Sequence, residues 1–345
     1  MENRPAPAGG SKKRNAGVAA RRPDCLRMAA WRSGWLVVAL LGAGVAAASD
    51  RESRDDAWWT GPMVAPGAAT LPPGHVLLEP YLFDDMTDST LDRNGRRSTQ
   101  PTDHDFGSLT YMLYGLRERL TVGLIPRFFH DVPPAGAASR GVDIGDLTLQ
   151  AGYGLLQYDE ARGLPAVALI LQETLPTGRY ERLSRASAGT GGGAYTTTLA
   201  LYSQDYFWLP NGRILRGRLD LAYSHALGTG VHDASVYGTG FGFIGRAFPG
   251  DTLNVDLAGE YSLTRQWVLA LDLVYQSNAS TRVRGREPAG PVALTTGSGY
   301  WAGIAPAVEY NLSAAIGVLL GVRILEWGRN ASGTVTTAVA LNMVF

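Results

Sequence analysis

The chain has 345 residues, 45% of them hydrophobic and 18% charged, with 43 glycines and a formal net charge of zero. That length suits two ordinary soluble domains or one large barrel, and the charge is unevenly spread: residues 1–48 hold eight basic groups against Glu2 and Asp24, whereas 49–345 hold 23 arginines, no lysine and 29 carboxylates, a net of −6. A mildly acidic body without a basic patch argues against nucleic acid as a partner, and with Cys25 the single cysteine, residues 49–345 have no disulfide and no cysteine-based metal site.

Residues 1–48 read as a cleaved signal peptide. Arg32 and the arginines before it precede the apolar run 35–48, which closes on Ala46-Ala47-Ala48 ahead of Ser49-Asp50. A basic section, a short apolar section and small residues in that order describe an export signal. The run is shorter than the ~20 residues that cross a bilayer as a helix. Met28 as the start would give a leader of ordinary length. Residues 49–73, with Trp58-Trp59 and four prolines, read as an irregular periplasmic lead-in.

From 74 to 345 apolar residues recur with a period of two, which is a strand signal. The pattern is clearest in 251–277. Leu253, Val255, Leu257, Tyr261 and Leu263 share one face, and Asn254, Asp256, Glu260 and Ser262 the other. After a polar turn at Thr264-Arg265-Gln266, Trp267, Leu269, Leu271, Leu273 and Tyr275 oppose Asp272 and Gln276. Twelve strands are expected near 74–83, 106–116, 120–130, 142–157, 164–175, 194–207, 213–227, 251–263, 266–277, 299–312, 316–327 and 333–345. Soluble strands are typically about 5–6 residues long, while lipid-crossing strands need about 9–11. The connections alternate between short and long, the long ones running through 84–105, 131–141, 176–193, 228–250 and 278–298. That rhythm, with an even strand count, predicts an all-β fold: a transmembrane antiparallel up-and-down β-barrel of about 12 strands in the outer membrane of a Gram-negative bacterium, short turns toward the periplasm. The stretch 228–250 reads either as an ordered loop or as a further pair of short strands. Tyr206, Trp208, Tyr261, Trp267, Tyr310 and Phe345 at the short-turn ends, and Tyr195, Tyr223, Tyr275, Tyr300 and Trp327 at the long-loop ends, are expected to form two interfacial girdles.

Motifs for chemistry are scarce. The run 189–193, Gly-Thr-Gly-Gly-Gly, has no helix after it to hold a phosphate, and reads as a mobile loop. The five histidines share no metal-ligand spacing, so no metal and no cofactor is expected. Barrel hydrolases need a base and a nucleophile on one face, whereas adjacent Ser224 and His225 point to opposite faces. No enzymatic activity is expected. The inward face carries Glu79, Arg127, Asp146, Arg216, Arg218, Asp220, Asp256, Glu260, Asp272, Glu309 and Arg323. These charges either line a path for a solute, with weak cation preference, or pair across strands and fill the barrel.

Several stretches carry a resemblance: Gly145-Asp146-Leu147-Thr148-Leu149, Gly163-Leu164-Pro165-Ala166, Leu175-Pro176-Thr177-Gly178, Gly259-Glu260-Tyr261-Ser262-Leu263 and 267–272. In that order they resemble the outer-membrane family described as "Putative MetA-pathway of phenol degradation", whose members are often labelled transporters. The resemblance implies passive uptake of small solutes, aromatic or hydrophobic ones among them. The expected solute path comprises Arg127, Arg216, Arg218, Asp256, Glu260, Asp272 and Glu309, with Pro176-Thr177-Gly178 and 189–193 as hinges of the gating loops. Two alternatives stand beside it, a non-conducting structural barrel and a lipid-acting barrel enzyme. Phe345 after Leu341 and Met343 looks like the C-terminal signal read by the barrel-assembly machinery, so the expected partners are that machinery, the outer-membrane bilayer and a small solute.

Overall fold

The structure, a computed structural model, describes residues 51–139 and 141–345. The leader, with Cys25, Met28 and the expected cleavage site, lies outside the described residues. Eighteen strands are present among those described. The first six are β1 (Val76–Leu91), β2 (Arg97–Arg117), β3 (Leu120–Ile125), β4 (Arg127–Val132), β5 (Asp143–Ile144) and β6 (Leu147–Leu156). Next come β7 (Ala166–Leu175), β8 (Thr196–Trp208), β9 (Ile214–Ala226), β10 (Thr229–His232), β11 (Ile244–Phe248) and β12 (Thr252–Ser262). The last are β13 (Trp267–Asn278), β14 (Arg282–Glu287), β15 (Gly290–Thr295), β16 (Gly299–Asn311), β17 (Ile316–Arg329) and β18 (Ala331–Val344).

Antiparallel pairing runs in the order β1-β18-β17-β16-β13-β12-β9-β8-β7-β6-β3-β2, and β2 pairs back onto β1. The sheet is therefore a closed barrel of twelve walls, which leaves no edge strand to seek another chain. One wall is split into β3 and β4 because Pro126 lacks the N–H that the ladder needs; both halves pair with β2. The next wall is split into β5 and β6 at Gly145-Asp146.

Which face is which follows from exposure. Leu82, Leu171, Leu199, Leu257 and Leu320 are 51–60% exposed, whereas Glu260, Asp272 and Glu309 are 0% exposed. An apolar exterior around a charged interior inverts a soluble sandwich and fits a lipid surround. The girdles are partly as expected. Trp267 and Tyr310 pack as tilted rings with centroids 4.7 Å apart at the short-turn end, and Tyr275 and Tyr300 with centroids 5.9 Å apart at the other. Tyr206 and Trp208 are corrections. They share parity with buried Tyr202 and Gln204 and face inward, and Phe207 is the outward aromatic there.

Three of the expected long loops also carry strand. The stretch 84–105 continues β1 and β2 beyond the bilayer to a tight turn at 92–96, where the Asp92 side chain accepts the Asn94 and Arg96 amides. The loops 228–250 and 278–298 contribute β10, β11, β14 and β15, which form a second sheet in that order.

Candidate functional site

Residues 51–73 carry no strand, yet their backbone is tied to the lumen wall at residues from 50 to 249 positions away. At the short-turn end the Trp208 indole donates to Glu52 O at 2.8 Å, and the Glu52 carboxylate accepts from Ser262 at 3.0 Å and pairs with Arg213 at 3.1 Å. The chain then climbs inside. The Thr60 amide donates to Glu309 at 2.6 Å, and the amides of Met63, Val64 and Ala65 donate to the Asp272 carboxylate at 3.1, 3.3 and 3.0 Å. The Arg218 guanidinium donates to Ala65 O at 2.7 Å. It descends again to Leu71, whose amide donates to Thr121 at 2.9 Å, and to Gly74, which bonds Gly115 O. The segment is thus a hairpin-like insert in the periplasmic half of the lumen.

The wall is cut to receive it. A Cβ on Gly317 would lie 1.9 Å from the Thr60 hydroxyl, so only glycine lets the segment approach β17 there. On the segment itself Gly61 takes φ +134°, open to glycine alone. Trp59 lies under the Arg216 guanidinium at 4.6 Å, a cation–π contact.

The expected path residues divide. Arg216, Arg218, Asp256, Glu260, Asp272 and Glu309 come together on the adjacent walls β9, β12, β13 and β16. Arg216 clamps Glu260 through two donors, one at 2.7 Å, and Arg218 approaches the same carboxylate at 3.1 Å. With Asp272 and Glu309 they hold the inserted segment. Asp256 faces Asp220 directly across the β12–β9 ladder, and neither carboxylate accepts a hydrogen bond from the protein among the described residues. Arg127 stands apart on β4, exposed to the lumen and level with Leu109. Of the other inward charges, Arg323 pairs with Asp85 at 3.3 Å and Glu79 accepts from Asn342 at 3.1 Å. Asp146 sits at the break between β5 and β6, where it accepts the amides of Gly178 and Gly192 at 2.9 and 2.7 Å. The two segments expected as hinges are therefore pinned to the wall, and the Tyr237 hydroxyl holds Gly192 O as well. Burial and the nearby Asp146 charge push the Tyr237 hydroxyl up to about 12.

The open space lies on the opposite side, between the segment and walls β1 to β8. It is a chamber of about 230 Å³. Tyr81, Tyr111 and Tyr202 line it with Leu109, Leu113 and Ile170, and the segment supplies Met63 and Val64. None of these was singled out from sequence, although Tyr81 shares the inward parity of Glu79 two residues before it. Tyr202 pairs in register with Asp220, so the unpaired Asp220 and Asp256 stand level with the chamber. Toward the long loops a second space of about 300 Å³ is lined by Asp85, Asp103, Asp105 and Asp131 with Arg323. Arg185, from the loop 176–195, reaches across to Asp131 and to Ala137 O.

The family model described as "Putative MetA-pathway of phenol degradation" matches residues 87–341. The chain belongs to this family. Among solved structures, an outer membrane channel from Pseudomonas putida F1 is similar at a TM-score of 0.62 and 18% identity, over 82% of this chain and 100% of that one. It bears out the barrel fold. The NanC porin, at 0.40 and 10% identity over 76% and 98%, and the Pseudomonas putida toluene transporter TodX, at 0.36 and 11% over 84% and 95%, are more distant likenesses. No curated protein matches the chain. The family member described here is an outer-membrane barrel with a lumen divided between a charged anchor and a tyrosine-lined chamber.

Proposed function

We propose that this barrel is a narrow passive channel that admits small solutes of single-ring size, entering through the aspartate-lined space and passing between the inserted segment and the tyrosine wall. The chamber is the observation that carries the reading. An apolar cavity of roughly 150 Å³ holds a benzene molecule, so about 230 Å³ accepts one substituted ring and not an oligosaccharide. Its walls combine apolar side chains and tyrosine hydroxyls with the polar Glu79, Gln150, Asn342 and Arg218, and a few convergent polar groups in a mostly apolar pocket orient such a ring. The family description and the likeness to an outer membrane channel support the same reading.

In this reading the seven expected path residues divide. Arg216, Arg218, Glu260, Asp272 and Glu309 set the height and stiffness of the segment, Arg127 faces the solute, and Asp256 stays buried in the wall with neither carboxylate oxygen reaching the chamber. Four aspartates at the entrance against Arg323 and Arg185 favour cations. The export signal is cleaved before assembly, and Phe345, paired through its backbone to Val76 and 65% exposed, is the residue that the assembly machinery reads. The second reading, a sealed barrel, draws on the same anchors, since Asp272 and Glu309 together hold four backbone amides of the segment. Uptake of a single-ring cation into proteoliposomes separates the two: the channel reading requires uptake, and its absence favours the sealed barrel.

A further inference from the structure

Beyond the chamber, three adjacent walls lead two residues further toward the short-turn end of the barrel. On β6 Gly152 lines the chamber and Gly154 lines a second cavity; on β7 the pair is Ala168 and Ala166, and on β8 it is Tyr202 and Gln204. Two residues of strand span about 7 Å. On the facing side Ala68, Ala69 and Thr70 of the inserted segment line both spaces. The step between them is thus walled largely by glycine and alanine. The second cavity is a vestibule of about 580 Å³.

The vestibule is aromatic. Tyr158, in the turn after β6, and Tyr206, on β8, meet edge to face with centroids 4.9 Å apart. Trp59 of the segment packs on Tyr206 at 6.3 Å, and the Gln204 amide donates to the Tyr206 hydroxyl at 3.0 Å. Over the two tyrosines lies Arg54, its guanidinium carbon 4.6 Å from the Tyr158 centroid and 5.4 Å from that of Tyr206. Ring faces are the negative side of an aromatic, so together they form a site for a cation. The neighbouring Arg51 is held more firmly, by Glu160 at 2.5 Å as well as by the Trp208 ring at 3.7 Å. Arg54 is exposed and, among the described residues, its side chain has no carboxylate partner. The rings alone hold it.

Taking the barrel as the channel proposed above, we infer that the vestibule is a second solute site, where a single-ring cation leaving the chamber stacks on Tyr158 and Tyr206 in place of the Arg54 guanidinium. Arg54 marks the position that the solute's charge takes. A cation that carries its own ring displaces it, because the ring also buries apolar area against Leu156 and Ala166, which line the same space. A cavity of about 580 Å³ holds both the ring and the displaced side chain. A neutral ring of the same size lacks the charge that the tyrosine faces attract. The exit therefore selects for charge where the chamber selects for size.

The test is a titration of the full barrel in detergent with benzylammonium, read by fluorine NMR from 3-fluorotyrosine installed at Tyr158, so that the signal comes from the vestibule and not from the chamber. Benzylammonium shifts the resonance saturably, and benzyl alcohol, its neutral counterpart, does not. Arg54→Gln removes the competing cation and its two ring contacts, and binds benzylammonium about tenfold more tightly. Heat-shifted gel mobility confirms that each protein is folded. No saturable shift, an equal response to benzyl alcohol, or unchanged affinity in Arg54→Gln overturns the assignment. Uptake of benzylammonium by the same protein in proteoliposomes separates this site from the channel reading. Uptake without a shift at Tyr158 refutes the site alone, and a saturable shift without uptake supports the site and refutes passage.

Discussion

Removing the Asp272 carboxylate is the sharpest single perturbation of the inserted segment. In the wild type it accepts three successive amides, from Met63, Val64 and Ala65, and Ala65 is 2% exposed. Hydrogen bonds to a charged group contribute about 1.5–3 kcal/mol each, so three long ones sum to about 5 kcal/mol. The buried carboxylate's own desolvation offsets about half of that. Asp272→Ala therefore weakens docking by about 2.5 kcal/mol, which raises the undocked fraction of the segment about 60-fold. The barrel itself stays closed, because β13 keeps its full ladders to β12 and β16. Planar-bilayer recordings of Asp272→Ala are expected to show frequent high-conductance bursts that wild type shows rarely, with heat-shifted gel mobility unchanged. A folded variant whose burst frequency equals that of wild type refutes the idea that this carboxylate holds the segment.

Filling the chamber is expected to act oppositely: Ala168→Trp, at a wall position 1% exposed beside the segment, cuts solute uptake at least tenfold and leaves the gel shift intact. Arg216→Met removes the two-donor clamp on buried Glu260 and leaves Arg218, at 3.1 Å, as its remaining cation; the cost falls short of the roughly 3–5 kcal/mol of a fully broken buried pair, the melting temperature in detergent is expected to fall, and an unchanged value would count against the clamp. Asp105→Asn with Asp103→Asn removes two of four acids from the entrance, and reversal potentials in a salt gradient are expected to move toward non-selectivity. At the rim, Asp251 lies outside the strands and is held below the usual carboxylate range by the Tyr223 hydroxyl and then His225. Its contribution to rim stability is complete above the unfolded value near 4 and is lost as the pH falls through the lower folded value. Amide exchange at 225–228 is expected to quicken over that acid range in wild type, and to show no such step in Asp251→Asn.

The barrel was legible because period two survives everywhere the wall meets lipid. Leu253, Leu257, Leu269 and Leu273 could occupy no other face once the strands were long enough to span. The inward direction of the charges was legible for the same reason, since Asp256, Glu260 and Asp272 hold the opposite parity within their own strands; that Asp272 and Glu309 hold an inserted segment was not. The inserted segment was not. Residues 57–72 have no periodicity, and their partners are Asp272, Glu309 and Arg218, so nothing local distinguishes a chain that stays in the periplasm from one that turns into the lumen. Tyr206 and Trp208 were misplaced because their position at a strand end outweighed their parity, which they share with Tyr202. The chamber was missed because a search for charged path residues passes over Tyr81, Tyr111 and Tyr202, although the same alternation that turned Glu79 inward turned Tyr81 inward too. Of the outer sheet, 228–250 stayed ambiguous and the strands in 278–298 were missed, because these strands are four to six residues long, below the length that marks a membrane strand.

Liposome swelling in isosmotic benzylammonium and in raffinose tests the central claim most directly, because one solute fits a chamber of about 230 Å³ and the other does not. The account predicts swelling in benzylammonium that Ala168→Trp abolishes, and none in raffinose. Equal rates for the two solutes, or entry of neither, would contradict it.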